Sequence, residues 1–230
     1  MLNGNRRLMI KPPQPCIGAC SWQHAQWQDE FYPEDMPDDW RLAYYANEFL
    51  TVMVPQDQWS AAGSEEYRSW MEECAGDFRF FLEYRLDSIA ALDRLSAIFT
   101  QTDWRPETLG GLVLDVGGEE FLYQLQAKQA RFGCPVFVRY SGDELADPAV
   151  WEHLNRVWQA QHPCPVPTDF STGIGVVQDR DLMGDQDLRN VIESFMHRGG
   201  ADLKESYLFF CGKPPSLDTM RKAVIISQLL

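Results

Sequence analysis

The sequence is short of positive charge. Lys and Arg number 20 against 34 Asp and Glu, a formal net charge of −14. A surface this acidic repels phosphodiester backbones at long range, and no Lys/Arg run supplies a local exception. Nucleic-acid binding is therefore not expected. Histidine is scarce too, with 4 in the chain. His153 and His197 fall in helical periodicity and His162 in a proline-rich stretch, so only His24 follows a strand end. A histidine-rich multinuclear metal centre needs more than that. The 6 cysteines never form C-x-x-C. Cys16 and Cys20 on one extended strand stand about 13 Å apart, too far to share an ion, and reduced, mostly buried thiols are the expectation. Long apolar runs are missing, so no bilayer span is expected. Near the N-terminus Lys11, Pro12 and Pro13 interrupt any signal-type apolar segment. A cytoplasmic protein without a membrane partner follows as the expectation. Gly173-Ile174-Gly175 lacks a third glycine and precedes a strand, so it is no dinucleotide fingerprint, and no cofactor is named by the sequence.

What is present is an alternation of apolar strand-like runs with helical periodicity. Strands are expected at 16–19, 50–54, 79–84, 111–116, 135–140, 175–179 and 206–211, with a poor sixth strand placed in the irregular stretch 162–172. Between them lie amphipathic helices. Trp40, Tyr44, Tyr45 and Phe49 form the buried stripe of the first helix, capped by Asp38 or Asp39. Asp147-Pro148 starts another, with Val150, Trp151, Leu154, Val157 and Trp158 inward. Strands apolar throughout and separated by helices imply a parallel sheet covered on both faces. The number of units favours an α/β parallel (β/α)8 TIM-type barrel, irregular around the sixth strand. Residues 1–14 read as an N-terminal extension and 15–230 as one barrel domain.

The N-terminal third carries a recognisable order of motifs: Ile17-Gly18-Ala19-Cys20-Ser21-Trp22, Phe31-Tyr32-Pro33, Tyr44-Tyr45-Ala46, Phe49-Leu50-Thr51-Val52 and Asp77-Phe78-Arg79-Phe80. In this order and spacing the chain resembles the YecE-like family, also called domain of unknown function 72. The resemblance implies an α/β barrel and leaves the biochemical function open. It also exposes departures. Where the family usually carries Glu and Asn after the second strand, then Thr-Phe-Tyr, this chain has Met53, Pro55 and Asp57-Gln58-Trp59. A usual Lys at the end of the third strand is Glu83, and a usual Glu on the fifth is Arg139. The Asn pair after the last strand is replaced by Cys211-Gly212. The resemblance thus implies that the family's chemistry is lost or changed here.

Ligands of parallel barrels sit at the C-terminal ends of the strands. The candidate ligand-binding residues there are Trp22, Tyr32, Glu83, Asp115, Arg139 and Asp179. Period-two alternation turns Glu83 and Arg139 inward if Phe81 and Phe137 point inward. Read together, the Lys-to-Glu and Glu-to-Arg departures look like one ion pair reversed across the mouth, against the plainer reading of a structural buried pair. Asp115, Asp179 and Asp181 could hold a Mg²⁺ ion, although surface carboxylates are the commoner explanation. Gly117-Gly118 offers a weak phosphate cradle, or simply a tight turn. Two functions stay open: a non-catalytic barrel binding a small polar ligand or a protein partner, and a metal-assisted hydrolase of a phosphorylated or sugar-like substrate. A mouth plugged by Met53 and Trp59 would favour the first.

Overall fold

The structure, a computed structural model, describes residues 13–74, 76–101, 107–140, 151, 154–160, 171–178, 184–197 and 203–230. The strands are β1 (Cys16–Cys20), β2 (Thr51–Val54), β3 (Arg79–Leu86), β4 (Leu109–Val116), β5 (Val136–Tyr140), β6 (Asn155–Arg156), β7 (Trp158–Gln159), β8 (Thr172–Gln178) and β9 (Glu205–Cys211). They form one sheet in the order β6-β5-β4-β3-β2-β1-β9-β8-β7, with every pair parallel. The two ends of that order are successive pieces of one run of chain. β6 pairs with β5 and β7 with β8, and Val157 between them donates its N–H to the Val138 carbonyl at 2.9 Å. The sheet is therefore a nearly closed TIM-type barrel.

Around it lie α1 (Arg41–Ala46), α2 (Gln56–Ala61), α3 (Ser64–Glu73), α4 (Ile89–Gln101), α5 (Glu119–Lys128), α6 (Asp185–Met196) and α7 (Leu217–Leu229). The core divides as strand alternation requires. One face of the strands fills the barrel with Met53, Phe81, Val113, Phe137, Val157, Ile174, Val176, Tyr207 and Phe209. The other face packs beneath the helices, with Val52, Phe80, Leu82, Leu112, Leu114, Val138 and Phe210 meeting Leu122, Leu125, Ile192 and Met220. Burying each large apolar side chain stabilises the fold by about 1.5–3 kcal/mol.

The motifs of the N-terminal third are structural. Trp27, Phe31, Tyr32, Tyr45, Phe49, Phe78 and Phe80 belong to one core cluster, with Trp27 stacked on Tyr45 and Phe31 edge-on to Trp27. The fully buried Tyr45 hydroxyl accepts from the Ala19 N–H at 2.8 Å and donates to the Thr51 carbonyl at 2.9 Å, linking β1 to β2. Burial raises its pKa well above the ordinary value, against a smaller opposing effect of the Ala19 hydrogen bond. Gly18 allows the same two strands to approach, because a Cβ there would stand 2.3 Å from the Thr51 carbonyl oxygen. Gly18→Ala is expected to lower stability by about 1–3 kcal/mol. A urea midpoint equal to that of the wild type would show that the backbone yields freely at this seam.

Several expectations need correction. The helix assigned through Val157 and Trp158 is strand at 155–159, because backbone pairing to β5 and β8 overrides its helical spacing; Trp158 is buried against Phe195 instead. Its start at Asp147-Pro148, with Val150, lies outside the described residues. The segment 155–159 stands between β5 and β8 in the barrel; of the strand expected at 162–172, residues 162–170 lie outside the described residues and Thr172 begins β8. Trp40 and Tyr44 are 64% and 37% exposed. The helix is only Arg41–Ala46, so its buried side is Leu42 and Tyr45 alone, and Pro37 rather than Asp38 or Asp39 occupies the cap of the preceding 3-10 turn. The thiols are not all reduced either. Cys20 and Cys211, at the ends of neighbouring β1 and β9, form a disulfide with their Cα atoms 5.0 Å apart. Cys16, Cys74 and Cys134 are free, and burial pushes their thiols up to about 11, 12 and 12.

Candidate functional site

The pleat that fills the barrel also builds its mouth. Glu83, Asp115 and Arg139 each stand two residues beyond an interior side chain, namely Phe81, Val113 and Phe137. The same face of β3, β4 and β5 thus ends in three charged groups above an apolar floor. Arg139 Nη2 forms a short ion pair with Glu83 Oε1 and a second ion pair with Asp115 Oδ2 at 3.2 Å. Their side chains are 17%, 23% and 27% exposed. Burial pulls the Arg139 pKa down, but the adjacent Glu83 and Asp115 charges and hydrogen bonds more than offset this, so it lies above the ordinary arginine value. Among the described residues one guanidinium thus stands between two carboxylates at the mouth.

The surrounding rim comes from the loops after β1 and β2. Ser21 follows β1 with a left-handed φ of 72°, a conformation that costs a non-glycine residue energy and recurs at functional sites. Its N–H donates to the Met53 carbonyl at 2.8 Å. Its hydroxyl accepts from the Gln23 N–H and donates to Gln58 Oε1, each at 2.9 Å. Gln58 Nε2 is buried without a partner. On either side of Gln58, α2 is fastened to β3: the Trp59 indole N–H donates to the Glu83 carbonyl at 2.7 Å, and Gln56 Oε1 accepts from the Arg85 N–H at 2.9 Å. His24 Nε2 donates to the Cys20 carbonyl at 2.9 Å, since a carbonyl only accepts. Burial lowers the His24 pKa below the ordinary imidazole value, partly opposed by its backbone hydrogen bonds.

Of the residues named from sequence, Glu83, Asp115 and Arg139 are brought together. Trp22 and Tyr32 are each 1% exposed. Trp22 lies edge-on to Trp70, and Tyr32 donates its hydroxyl to the Trp22 carbonyl at 2.6 Å, so they brace the loop after β1. Asp179 and Asp181 lie outside the described residues, as do His153 and His162. Met53 fills the barrel beneath the mouth, whereas Trp59 is packed in the outer core. At the Gly117-Gly118 turn, α5 opens with Glu119 and Glu120, which themselves complement its positive end and oppose a phosphate there. Among the described residues no group of three or more His, Cys, Asp or Glu side chains could hold a metal ion, and no helix is long and apolar enough to cross a membrane. Ser21 and Gln58 were missed from sequence, because neither a left-handed serine nor an orphaned amide leaves a composition signal.

Residues 16–101 match the family model described as protein of unknown function DUF72. Over those residues the chain is similar to DUF72 proteins. That segment runs from β1 to the end of α4 and contains the aromatic motifs, Ser21, Gln58 and Glu83. Solved DUF72 family proteins share the fold over nearly the whole chain. One from Thermotoga maritima aligns with a TM-score of 0.67 at 11% identity, covering 94% of this chain and 100% of that one. One from Enterococcus faecalis aligns with a TM-score of 0.66 at 13% identity, covering 93% and 95%. At such identities the likeness shows the barrel alone. No curated protein matches the chain.

Proposed function

We propose that this chain is a non-catalytic barrel that binds a small polar ligand at its C-terminal mouth. The observation that carries the reading is the convergence of Glu83, Asp115 and Arg139 over the floor of Met53, Phe81 and Phe137. Convergent polar groups over an apolar base are what a small-molecule site requires. Trp22 and Tyr32 support it as the braced wall behind the β1 loop, and Asp179, next in sequence after β8, belongs to the proposed set. A metal-assisted hydrolase would need carboxylates free to hold an ion or take a proton. Arg139 engages an oxygen of both Glu83 and Asp115, which favours binding over catalysis.

A thermal-shift screen tests this with uncharged sugars, sugar phosphates, nucleotides, divalent metals and short oligonucleotides. A ligand at about a hundred times its dissociation constant adds roughly 2.7 kcal/mol, an easily read shift. Stabilisation by a small polar compound without any metal is the expected result. Stabilisation that requires a divalent metal, with turnover of a phosphorylated compound, would replace the reading by the hydrolase. Silence across the panel would overturn it in favour of a protein partner.

A further inference from the structure

The ends of β1 and β9 bring two cysteines together on the inner side of the barrel wall. The parallel register runs from Cys16 beside Tyr207 to Ala19 beside Phe210, so the next residue of each strand is a cysteine set against the other. The Cα atoms of Cys20 and Cys211 stand 5.0 Å apart, inside the usual disulfide span of about 4.4–6.8 Å. Both side chains pack against the interior cluster that contains Met53, Phe81 and Phe209, and both residues are half-buried rather than closed off. The backbone sets this spacing without help from the bond. The Ser21 N–H donates to the Met53 carbonyl at 2.8 Å and His24 Nε2 donates to the Cys20 carbonyl at 2.9 Å, which anchors the end of β1. Cys211 is in register with Gln178 of β8. The Trp27 indole N–H donates to the Pro215 carbonyl at 3.2 Å, tying the loop after β1 to the chain beyond β9. Breaking the S–S bond removes none of these contacts.

We propose that Cys20 and Cys211 are a reversible redox site whose reaction partner is a dithiol, and that its state sets the stability of the barrel. A thiolate of the dithiol attacks one of the two sulfurs, the S–S bond breaks, and a mixed disulfide forms. The other cysteine leaves as a thiolate and takes up a proton. The second thiol of the partner then attacks its own sulfur in the mixed disulfide, departs as a disulfide, and the remaining cysteine takes the second proton. Two electrons and two protons have passed from the dithiol to the protein. The reverse step needs an external disulfide as oxidant. It favours this pair over any other, because the sheet keeps the two thiols adjacent and makes their closure intramolecular. The bond joins the first strand of the barrel to the last, across a separation of 191 in a chain of 230 residues. The longer the loop a disulfide closes, the more freedom it removes from the unfolded chain. The two redox states thus share one fold and differ in their resistance to unfolding.

The test treats the folded full chain with dithiothreitol in the absence of denaturant, then follows it by peptide mapping, circular dichroism and thermal melting. Before treatment the peptides carrying Cys20 and Cys211 are expected to be linked, and afterwards separate, with the circular dichroism spectrum unchanged. The melting temperature is expected to fall by about 10 °C or more. Oxidised dithiothreitol should restore both the linkage and the melting temperature. Cys20→Ser and Cys211→Ser should each melt with the reduced wild type and ignore dithiothreitol. Peptides that stay linked until urea is added would overturn the redox site and leave a static cross-link. A melting temperature that moves by less than about 2 °C on reduction would overturn the control of stability. Re-formation of other cysteine pairs, or no linked pair even after oxidised dithiothreitol, would overturn the claim that the sheet selects this one. The wild-type comparison needs no variant, so it decides even where a serine substitution prevents folding. It also needs no mouth ligand, so its outcome is independent of the binding screen.

Discussion

Replacing Arg139 by methionine is expected to destabilise the barrel by about 3 kcal/mol, the low end of the cost of stripping one partner from a buried ion pair. The low end applies because the cluster keeps some solvent, with Arg139 17% exposed and its two carboxylates 23% and 27%. Methionine preserves the aliphatic stem, so the loss isolates the charge from the packing. Glu83 and Asp115 then stand on the same side of β3 and β4 with the guanidinium between them gone. Adding Glu83→Gln and Asp115→Asn to the variant removes both of those charges, and most of the loss should return. Urea unfolding of the single and triple variants measures both numbers. A single variant as stable as the wild type would mean the cluster is screened by water and of no structural weight. A triple variant as weak as the single one would place the cost in lost packing.

The second large effect is expected at Trp59. Its side chain is fully buried, its indole N–H holds the Glu83 carbonyl, and its own carbonyl accepts from the Tyr67 hydroxyl. Trp59→Ala removes a large packed ring and is expected to cost about 3–5 kcal/mol. Trp59→Phe keeps most of the volume and loses one hydrogen bond, worth about 1 kcal/mol. The ratio of the two losses separates packing from the bond. Equal losses would mean that the indole N–H to Glu83 contact dominates, and that α2 is held to β3 chiefly by polar contacts.

The barrel was legible because long buried strands write themselves as apolar runs, and 79–84, 111–116 and 206–211 lie within β3, β4 and β9. The segment 155–159 was not. Two residues of pairing on each side of Val157 are too few to imprint alternation, and its spacing of Trp151, Leu154, Val157 and Trp158 mimics a helix. The partners that make it strand, Val138 and Gly175, are remote in sequence. The pairing of Cys20 with Cys211 hid for the same reason, at a separation of 191 residues. Trp40 and Tyr44 misled because helical spacing identifies a stripe without saying that the helix ends after six residues. At the mouth, the facing of Glu83 and Arg139 could be read from Phe81 and Phe137 by period two. The insertion of Arg139 between two carboxylates could not, since it depends on the stagger of β3, β4 and β5. Gln58 stood in plain view as part of Asp57-Gln58-Trp59, where the family resemblance implies a different run. Its significance lies in the bond it lacks.

A ligand bound at the charged mouth is the central expectation. The most direct measurement is isothermal titration of the strongest hit from the small-molecule screen into wild-type protein, Glu83→Gln and Asp115→Asn. Each variant keeps Arg139 paired with one remaining carboxylate, so each should fold. The account predicts that both lose at least tenfold in affinity, about 1.4 kcal/mol. Undiminished affinity in both variants would contradict it, and the barrel mouth would then be a structural ion-pair cluster.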